Sequence, residues 1–291
     1  MGGCKISDYK KGVIIGLVSA SGFGALGYFG LLLNDLGFSI AQSLFIRFFG
    51  ATLIIWPWLV WRRKWKIPLG TSIRGFAMGA VGYTVQSALY FITLTRLNSG
   101  LANVLLYLYP AFVTILDCSI YRRRPSPALV FCLLTMFLGC FMIVDSGSIQ
   151  LDPVGVGAGI CMALWYAVYL IVGEKYLVKA SPFTLSGYLF LGCTCSFGIY
   201  VFVFDPFVNT LNLSMLYPSI GIVVVSTVIP IVAIFRSIQL IRAPLASAIS
   251  TFEPVVAVSL GQLLLSEVLS LQQYIGMALI VVGILLIQRI K

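Results

Sequence analysis

A chain of 291 residues that is 60% hydrophobic and only 10% charged, with a mean hydropathy of +1.03, has too little polar surface to face water on every side. A soluble domain would carry about a quarter charged residues, so lipid is the expected solvent and an integral membrane protein the expected class. The formal charge of +10 raises nucleic acid as a partner, and the placement of those charges decides against it.

A bilayer core roughly 30 Å thick takes about 20 apolar residues per helix. Ten such runs follow one another at 12–33, 40–61, 71–94, 97–116, 126–145, 154–173, 183–204, 216–238, 243–265 and 270–288. They are continuously apolar, without the alternation of barrel strands, so helices are predicted. The connections are short and leave no room for a soluble catalytic or regulatory domain. The first run follows Lys10-Lys11 and is 22 residues long. That exceeds a signal-peptide core and lacks a clear cleavage site, so the run is expected to be a retained helix. The start Met1-Gly2-Gly3-Cys4 suggests myristoylation, but Ile6 stands where Ser or Thr is required and Ser7 comes one residue late. An ordinary cytoplasmic N-terminus is the expected reading. Trp56, Trp58 and Trp61 near the end of the second run are expected in an interfacial belt. Asn212-Leu213-Ser214 is a glycosylation sequon in an outer loop.

With the N-terminus placed in the cytoplasm and sides alternating through ten spans, 17 of the 19 basic residues fall on the inner side. Arg96 alone lies outside, and Arg47 lies within the second span. Asp35, Asp145, Asp152, Asp205 and Glu267 fall on the outer side. This positive-inside pattern tests the count, because one missed helix would scramble everything downstream. The basic excess is a topology signal, and no nucleic-acid partner is expected. Both termini are predicted to be cytoplasmic, in the cell (inner) membrane.

Sliding the chain by 144 residues overlays Leu101-Ala102 on Leu245-Ala246, Pro110 on Pro254 and Gly139 on Gly283. The segment LANVLLYLYP, Leu101 to Pro110, then lies on LASAISTFEP, Leu245 to Pro254. Each half holds five runs, and an odd number makes the second half enter from the opposite side. The expected fold is all-α, with ten transmembrane helices as two inverted five-helix repeats over 1–145 and 146–291. Two inverted halves can exchange roles, which is the logic of alternating access around a midplane site.

These features resemble the drug/metabolite transporter superfamily, specifically its EamA branch, over essentially the whole chain. The resemblance rests on Leu97 to Pro110 in the fourth span and on Arg242 to Pro254, with Glu253-Pro254, in the ninth. It rests also on Ser266-Glu267 followed by Tyr274 to Gly283. It implies a ten-helix exporter or importer of amino acids, related metabolites and cationic compounds. Where the family usually has a Gly-Glu pair after its fourth span, this chain has Arg122-Arg123-Arg124.

Polar groups inside a span are expensive and point towards a cavity. In the third span Gly75, Gly79, Gly82, Tyr83, Gln86 and Tyr90 fall on one stripe, the glycines permitting close helix approach. Asn103, Tyr107 and Pro110 form a stripe in the fourth span, repeated 144 residues later as Ser247, Thr251 and Pro254. Trp165 and Tyr169 lie four residues apart in the sixth span, with Ser226 and Thr227 in the eighth. Aromatic walls suit cationic or amphipathic ligands. The substrate cavity is therefore expected among Tyr83, Gln86, Tyr90, Asn103, Tyr107, Trp165, Tyr169, Ser226, Thr227, Ser247 and Thr251. Interhelical hydrogen bonding alone is the structural alternative. Pro110 and Pro254 are expected helix breaks and, with Pro57 and Pro230, remove backbone hydrogen bonds. Arg47, roughly 10 Å deep by helical rise, and Glu253 are the candidate coupling charges. Glu253 is read either as the carboxyl of a proton- or cation-linked step or as a structural group, paired with Arg47 or satisfied beside Pro254. Asp117 is read in a surface ion pair near the three arginines.

The seven cysteines make no disulfide framework, and Cys193-Thr194-Cys195 points its thiols apart on a helix. With no histidine in the chain, neither a Cys/His metal site nor a cofactor is expected. A polytopic membrane enzyme is disfavoured by the missing nucleophile–base pair, and nothing resembles the filter loop of a channel. The expected function is secondary transport of small amino-acid-like or cationic, amphipathic metabolites, directed towards efflux. Uptake or exchange on the same fold is the alternative. The expected partners are the small-molecule substrate and the lipid bilayer, with a homodimer as a compatible assembly.

Overall fold

The computed structural model describes residues 6–122, 124–144, 152–207, 213–266 and 268–287. Asp145, Glu267, Asn212 and the myristoylation start at Met1–Lys5 lie outside the described residues. Among those described, every regular element is helical.

The first apolar run forms α1 (Ile6–Gly24) and α2 (Leu26–Asp35), broken at Ala25. The second is α3 (Ile40–Trp61), whose start is fixed by a capping box: Ser39 Oγ accepts the Gln42 amide while the Gln42 side chain accepts the Ser39 amide. The third run contains α4 (Leu69–Ala77), a π-helical stretch at Met78–Tyr83 and α5 (Thr84–Arg96). The fourth contains α6 (Ser99–Leu106), capped by Asn98 on the Leu101 amide at 2.8 Å, and α7 (Tyr109–Tyr121). Helix therefore continues past the expected limit at 116 and takes Asp117 with it. Then come α8 (Pro127–Ile143), α9 (Pro153–Tyr176) and α10 (Pro182–Phe204). A 3-10 turn at Leu213–Met215 leads to α11 (Leu216–Ile220), a second π-helical stretch (Gly221–Val228) and α12 (Ile229–Ser250). Inside α12 the backbone turns sharply at Arg242, with φ 71° and ψ 164°, and continues from Ala243. The chain ends in α13 (Glu253–Leu264) and α14 (Leu271–Ile287).

Among the described residues, six stretches are long and apolar enough to cross a membrane: Ser7–Asp35, Ile40–Trp61, Ser99–Tyr121, Pro153–Tyr176, Pro182–Phe204 and Leu213–Ser250. Pro127–Ile143, Glu253–Leu264 and Leu271–Ile287 are shorter apolar helices. Large apolar side chains such as Ile14, Leu53, Phe131, Leu134, Phe202 and Leu285 are exposed on the outside of the bundle. In water such a surface would be unstable, whereas lipid tails solvate it. The chain is an integral multi-pass membrane protein.

The 144-residue spacing reappears in the helices themselves. The bounds of α14 are those of α8 moved by 144, and α12 ends and α13 begins 144 residues after α6 ends and α7 begins. The π stretch Met78–Tyr83 moved by 144 falls inside Gly221–Val228. Each π stretch has a threonine hydroxyl donating five residues back: Thr84 to the Gly79 carbonyl (3.4 Å) and Thr227 to the Ile222 carbonyl (2.6 Å).

Helices α8 and α14 also pack reciprocally. Gly139 sits against the Gly276 carbonyl and Ile280, while Gly283 sits against Met136 and the Cys132 carbonyl. Gly283 is Gly139 moved by 144, and Gly276 and Ile280 are Cys132 and Met136 moved by the same amount. Contacts exchanged in this way are the mark of an isologous, two-fold arrangement.

Candidate functional site

The site is built on the two broken helices and the two π stretches. Between α6 and α7 the chain leaves the helix at Tyr107 and Leu108, and Pro110 occupies the second position of α7. Proline has no amide hydrogen and is accommodated there without loss. The same arrangement leaves Thr251 and Phe252 between α12 and α13, with Pro254 at the second position. Glu253 is thereby the first residue of α13, where aligned peptide dipoles favour a negative group. Helix α1 reaches this region by virtue of its small residues: Gly24 lies against the Glu253 carbonyl and Gly22 against the Val225 carbonyl.

Arg47 is the organising charge of one side. Its guanidinium is 1% exposed and donates to Thr227 Oγ1 (2.6 Å), Tyr83 Oη (2.8 Å) and the Ser226 carbonyl (3.1 Å). It also lies over the rings of Phe48 and Tyr83, at 5.1 and 5.6 Å from their centroids. Both π stretches are thus tied to α3 by a single side chain. The sequence-based pairing of Arg47 with Glu253 is corrected here: no ion pair joins them. A three-helix polar network holds Arg47 instead. The Glu253 carboxyl is half-buried, with no hydrogen bond or ion pair among the described residues. It remains within electrostatic reach of Arg47 and of Tyr83, Tyr90, Tyr107, Tyr109 and Tyr166.

The remaining predicted residues divide into two groups. Tyr90 donates to Asn103 Oδ1 at 3.0 Å, and Trp165 donates to the Gly82 carbonyl in the π stretch at 2.8 Å. Tyr169 packs under Gly82 and stacks on Tyr166 at 5.8 Å. Gln86 is buried, and its Oε1 has no hydrogen-bond partner; the same is true of Ser226 Oγ. These residues share the region around the breaks with Tyr83, Tyr107 and Thr227. Ser247 and Thr251, by contrast, spend their hydroxyls on the Pro244 carbonyl (2.9 Å) and the Ala248 carbonyl (2.7 Å). Thr251 also reaches the Met136 sulfur at 3.3 Å. Sequence reasoning missed Tyr109 and Tyr166, whose rings meet edge-on at 4.7 Å. The signal was present: Tyr166 is three residues before Tyr169, and Tyr109 is the position equivalent to Glu253. A separate apolar groove of about 500 Å³, lined by Ile15, Phe183, Val232 and Arg236 among others, contains none of the predicted site residues.

Three further readings change. Asp117 is buried and pairs with Arg242 at 2.6 Å, so it is not a surface group as expected; Arg123 lies outside the described residues. The Trp56 indole donates to the Gly187 carbonyl at 3.0 Å and its ring meets Tyr188, so it joins α3 to α10, whereas Trp61 is exposed as a belt residue should be. The glycine stripe of the third span divides: Gly75 and Gly79 receive α10, and Gly82 receives α9.

The model of the EamA-like transporter family matches this chain twice, over residues 10–145 and 153–289. The chain belongs to the EamA-like transporter family. It is 28% identical over 263 residues to an uncharacterized transporter of Archaeoglobus fulgidus, covering 89% of this chain and 88% of that protein. It is 24% identical over 216 residues to the uncharacterized inner membrane transporter YicL of Salmonella typhimurium, 71% of this chain and 70% of that one. YcbK of Bacillus subtilis, another uncharacterized transporter, is 27% identical over 206 residues, 68% and 66% of the two chains. A protein of known crystal structure superposes with a TM-score of 0.80 over 95% of this chain and 96% of its own, at 17% identity, a likeness of fold. This EamA-like chain is a membrane transporter and not an enzyme.

Proposed function

We propose that this protein is an alternating-access secondary transporter of small amino-acid-like or cationic, amphipathic metabolites, working in the direction of efflux. It has ten transmembrane helices in two inverted five-helix halves, with both termini cytoplasmic. The observation that carries this reading is the two-fold exchange of contacts at α8 and α14, Gly139 with Gly276 and Ile280 against Gly283 with Cys132 and Met136. Two copies of the family match, and the recurrence of breaks and π stretches at 144 residues, support it. A carrier whose halves are equivalent has two near-equivalent arrangements, open to opposite sides.

The substrate class follows from which polar groups are already satisfied. Arg47 makes three hydrogen bonds within the protein, one from each guanidinium nitrogen, whereas the Glu253 carboxyl, Gln86 Oε1 and Ser226 Oγ have none among the described residues. The carboxylate and the amide oxygen can only accept and the hydroxyl can also accept, so with the nearby tyrosines they suit a primary ammonium or another organic cation. The test is a screen of amino-acid-like and cationic solutes in proteoliposomes, with efflux and uptake measured with and without a pH gradient. Saturable counterflow that is lost in Tyr83→Ala at normal expression supports the reading. Non-saturating conductance would indicate a channel, and unaltered flux in Tyr83→Ala would remove the pocket assignment.

A further inference from the structure

Outside the polar centre, the charges that bring the most elements together are Arg242, Asp117 and Glu174. Asp117 lies in the last turns of α7, Glu174 near the end of α9, and Arg242 at the sharp turn within α12. Arg242 donates from Nη2 to Asp117 Oδ1 at 2.6 Å and from Nε to Glu174 Oε1 at 3.1 Å, and the Ala243 amide donates to Glu174 Oε2 at 3.1 Å. The arginine covers the Tyr121 ring at 5.0 Å. Both carboxylates are largely withdrawn from solvent. Arg242 holds a positive φ of 71°, a conformation a non-glycine residue keeps only where its surroundings enforce it. Along the helices this cluster lies roughly 15 Å from Tyr107 and Glu253, on the side that the positive-inside pattern makes cytoplasmic.

Moving the three positions by 144 shows whether the other mouth has a counterpart. Arg242 maps to Asn98, Asp117 to Gly261 and Glu174 to Gly30, so no charge cluster of this kind can form there. The outer end has an exposed Arg96–Asp152 pair at 3.3 Å, a weak kind of contact. Ser39 and Gln42 also bond Asp205 there, joining α3 to α10. Those two helices stay joined further down through Thr52 with Thr194 and Trp56 with Gly187, so that tie does not gate a mouth.

We propose that Arg242, Asp117 and Glu174 form a cytoplasmic clasp that seals the inner mouth and biases the transporter towards its outward-facing arrangement. The proposal rests on the alternating-access reading above. The backbone turn at Arg242 is the bistable element: it is held by the clasp when the inner mouth is shut, and relaxes when the charges part. The symmetry of the fold would make the two arrangements equal in energy, and the unpaired occurrence of the clasp makes them unequal.

The test uses the full-length protein in vesicles, with its native cysteines replaced and Asn103→Cys, half-buried beside Tyr90 in the polar centre behind the clasp, as the reporter. An impermeant cationic thiosulfonate is applied from the cytoplasmic face of inverted vesicles and from the outer face of right-side-out vesicles. Arg242→Gln is expected to speed cytoplasmic labelling at least about tenfold, a shift of about 1.4 kcal/mol, and to slow outer labelling. The double variant Asp117→Asn with Glu174→Gln removes the clasp without stranding a carboxylate, and is expected to do the same if Arg242→Gln does not fold. Cytoplasmic labelling unchanged in the variants that fold would overturn the clasp whether or not the protein transports. Faster labelling from both faces would overturn alternating access, and the bias with it.

Discussion

Gly139 offers the sharpest test of how the two halves meet. A Cβ placed there would lie 2.6 Å from the Gly276 carbonyl oxygen, 2.8 Å from Ile280 Cγ1 and 3.1 Å from the Ile280 amide nitrogen. Two of those three atoms are backbone, so no rotamer change relieves the clash, and α8 and α14 must separate by several tenths of an ångström. Overpacking of this kind costs about 1–3 kcal/mol. Gly→Ala in a helix interior also gains about 0.8–1 kcal/mol from propensity, so the net change at Gly139 is smaller than the clash alone. Gly157 in α9 isolates the propensity term, because a Cβ there meets nothing within 4 Å. Gly139→Ala should therefore be less stable than Gly157→Ala by about 1–3 kcal/mol. Gly276→Ala, whose Cβ meets the Gly139 carbonyl at 2.6 Å, should match Gly139→Ala. Their combination should cost less than the sum, since one separation serves both. Gly283→Ala meets chiefly the flexible Met136 side chain and should cost least of the three. Stability is read from thermal or denaturant unfolding in detergent micelles. Gly139→Ala and Gly276→Ala as tolerated as Gly157→Ala would refute backbone-close packing of α8 on α14, and with it the exchanged contacts.

Three other expectations concern the charges. Arg47→Leu removes three hydrogen bonds, each worth about 0.6 kcal/mol between membrane helices, and should cost about 2 kcal/mol in unfolding assays; no loss of stability would show that the network does not hold the π stretches to α3. Glu253→Gln keeps size and shape but removes the charge. It should lower transport driven by a pH gradient at least about tenfold, and equal gradient dependence in variant and parent would exclude a coupling role. Asp152 is outside the spans, where the Gly155 and Val154 amides at the start of α9 and the adjacent Arg96 hold its carboxyl below the ordinary value of 3.8. A lowered folded-state pKa stabilises above the ordinary value and loses that contribution as pH falls through the lowered one, so Asp152→Ala should melt earlier than the parent at pH 6, with the gap closing towards pH 3. A gap independent of pH would contradict the assignment.

The breaks at Pro110 and Pro254 were legible because proline is a local signal: without an amide hydrogen it fits best in the first turn of a helix and so marks a start, although Pro57 is carried inside α3. The glycine spacing of the third span was equally legible as a close approach, but the partner was not, since nothing local says that Gly79 meets α10 and Gly82 meets α9. The π stretches escaped the sequence reading for a related reason. They depend on a threonine hydroxyl reaching the carbonyl five residues back, a register that composition does not encode. Asp117 shows how proximity in sequence misleads. Three arginines stand within seven residues of it, yet its partner, Arg242, is 125 residues away and arrives only through the turn in α12. Ser247 and Thr251 were read as pocket residues because they repeat Asn103 and Tyr107, but short hydroxyl side chains on a helix readily bond their own backbone.

The two candidate coupling charges, Arg47 and Glu253, can now be told apart by what surrounds them rather than by depth. Each nitrogen of the Arg47 guanidinium donates once, to a hydroxyl, a phenol and a carbonyl drawn from two π stretches. Its removal should loosen the framework before it alters selectivity. Glu253 stands at a helix start that favours negative charge, has no protein donor among the described residues, and is within electrostatic reach of Tyr90 of α5, Tyr107 between α6 and α7, Tyr109 of α7 and Tyr166 of α9. A carboxylate kept at such a position without a partner destabilises the bundle unless something else supplies the positive charge. A proton or the ammonium of a substrate can do so in turn, and the two compete for the same oxygens. That competition would couple the movement of one to the other without any further charged residue in the site.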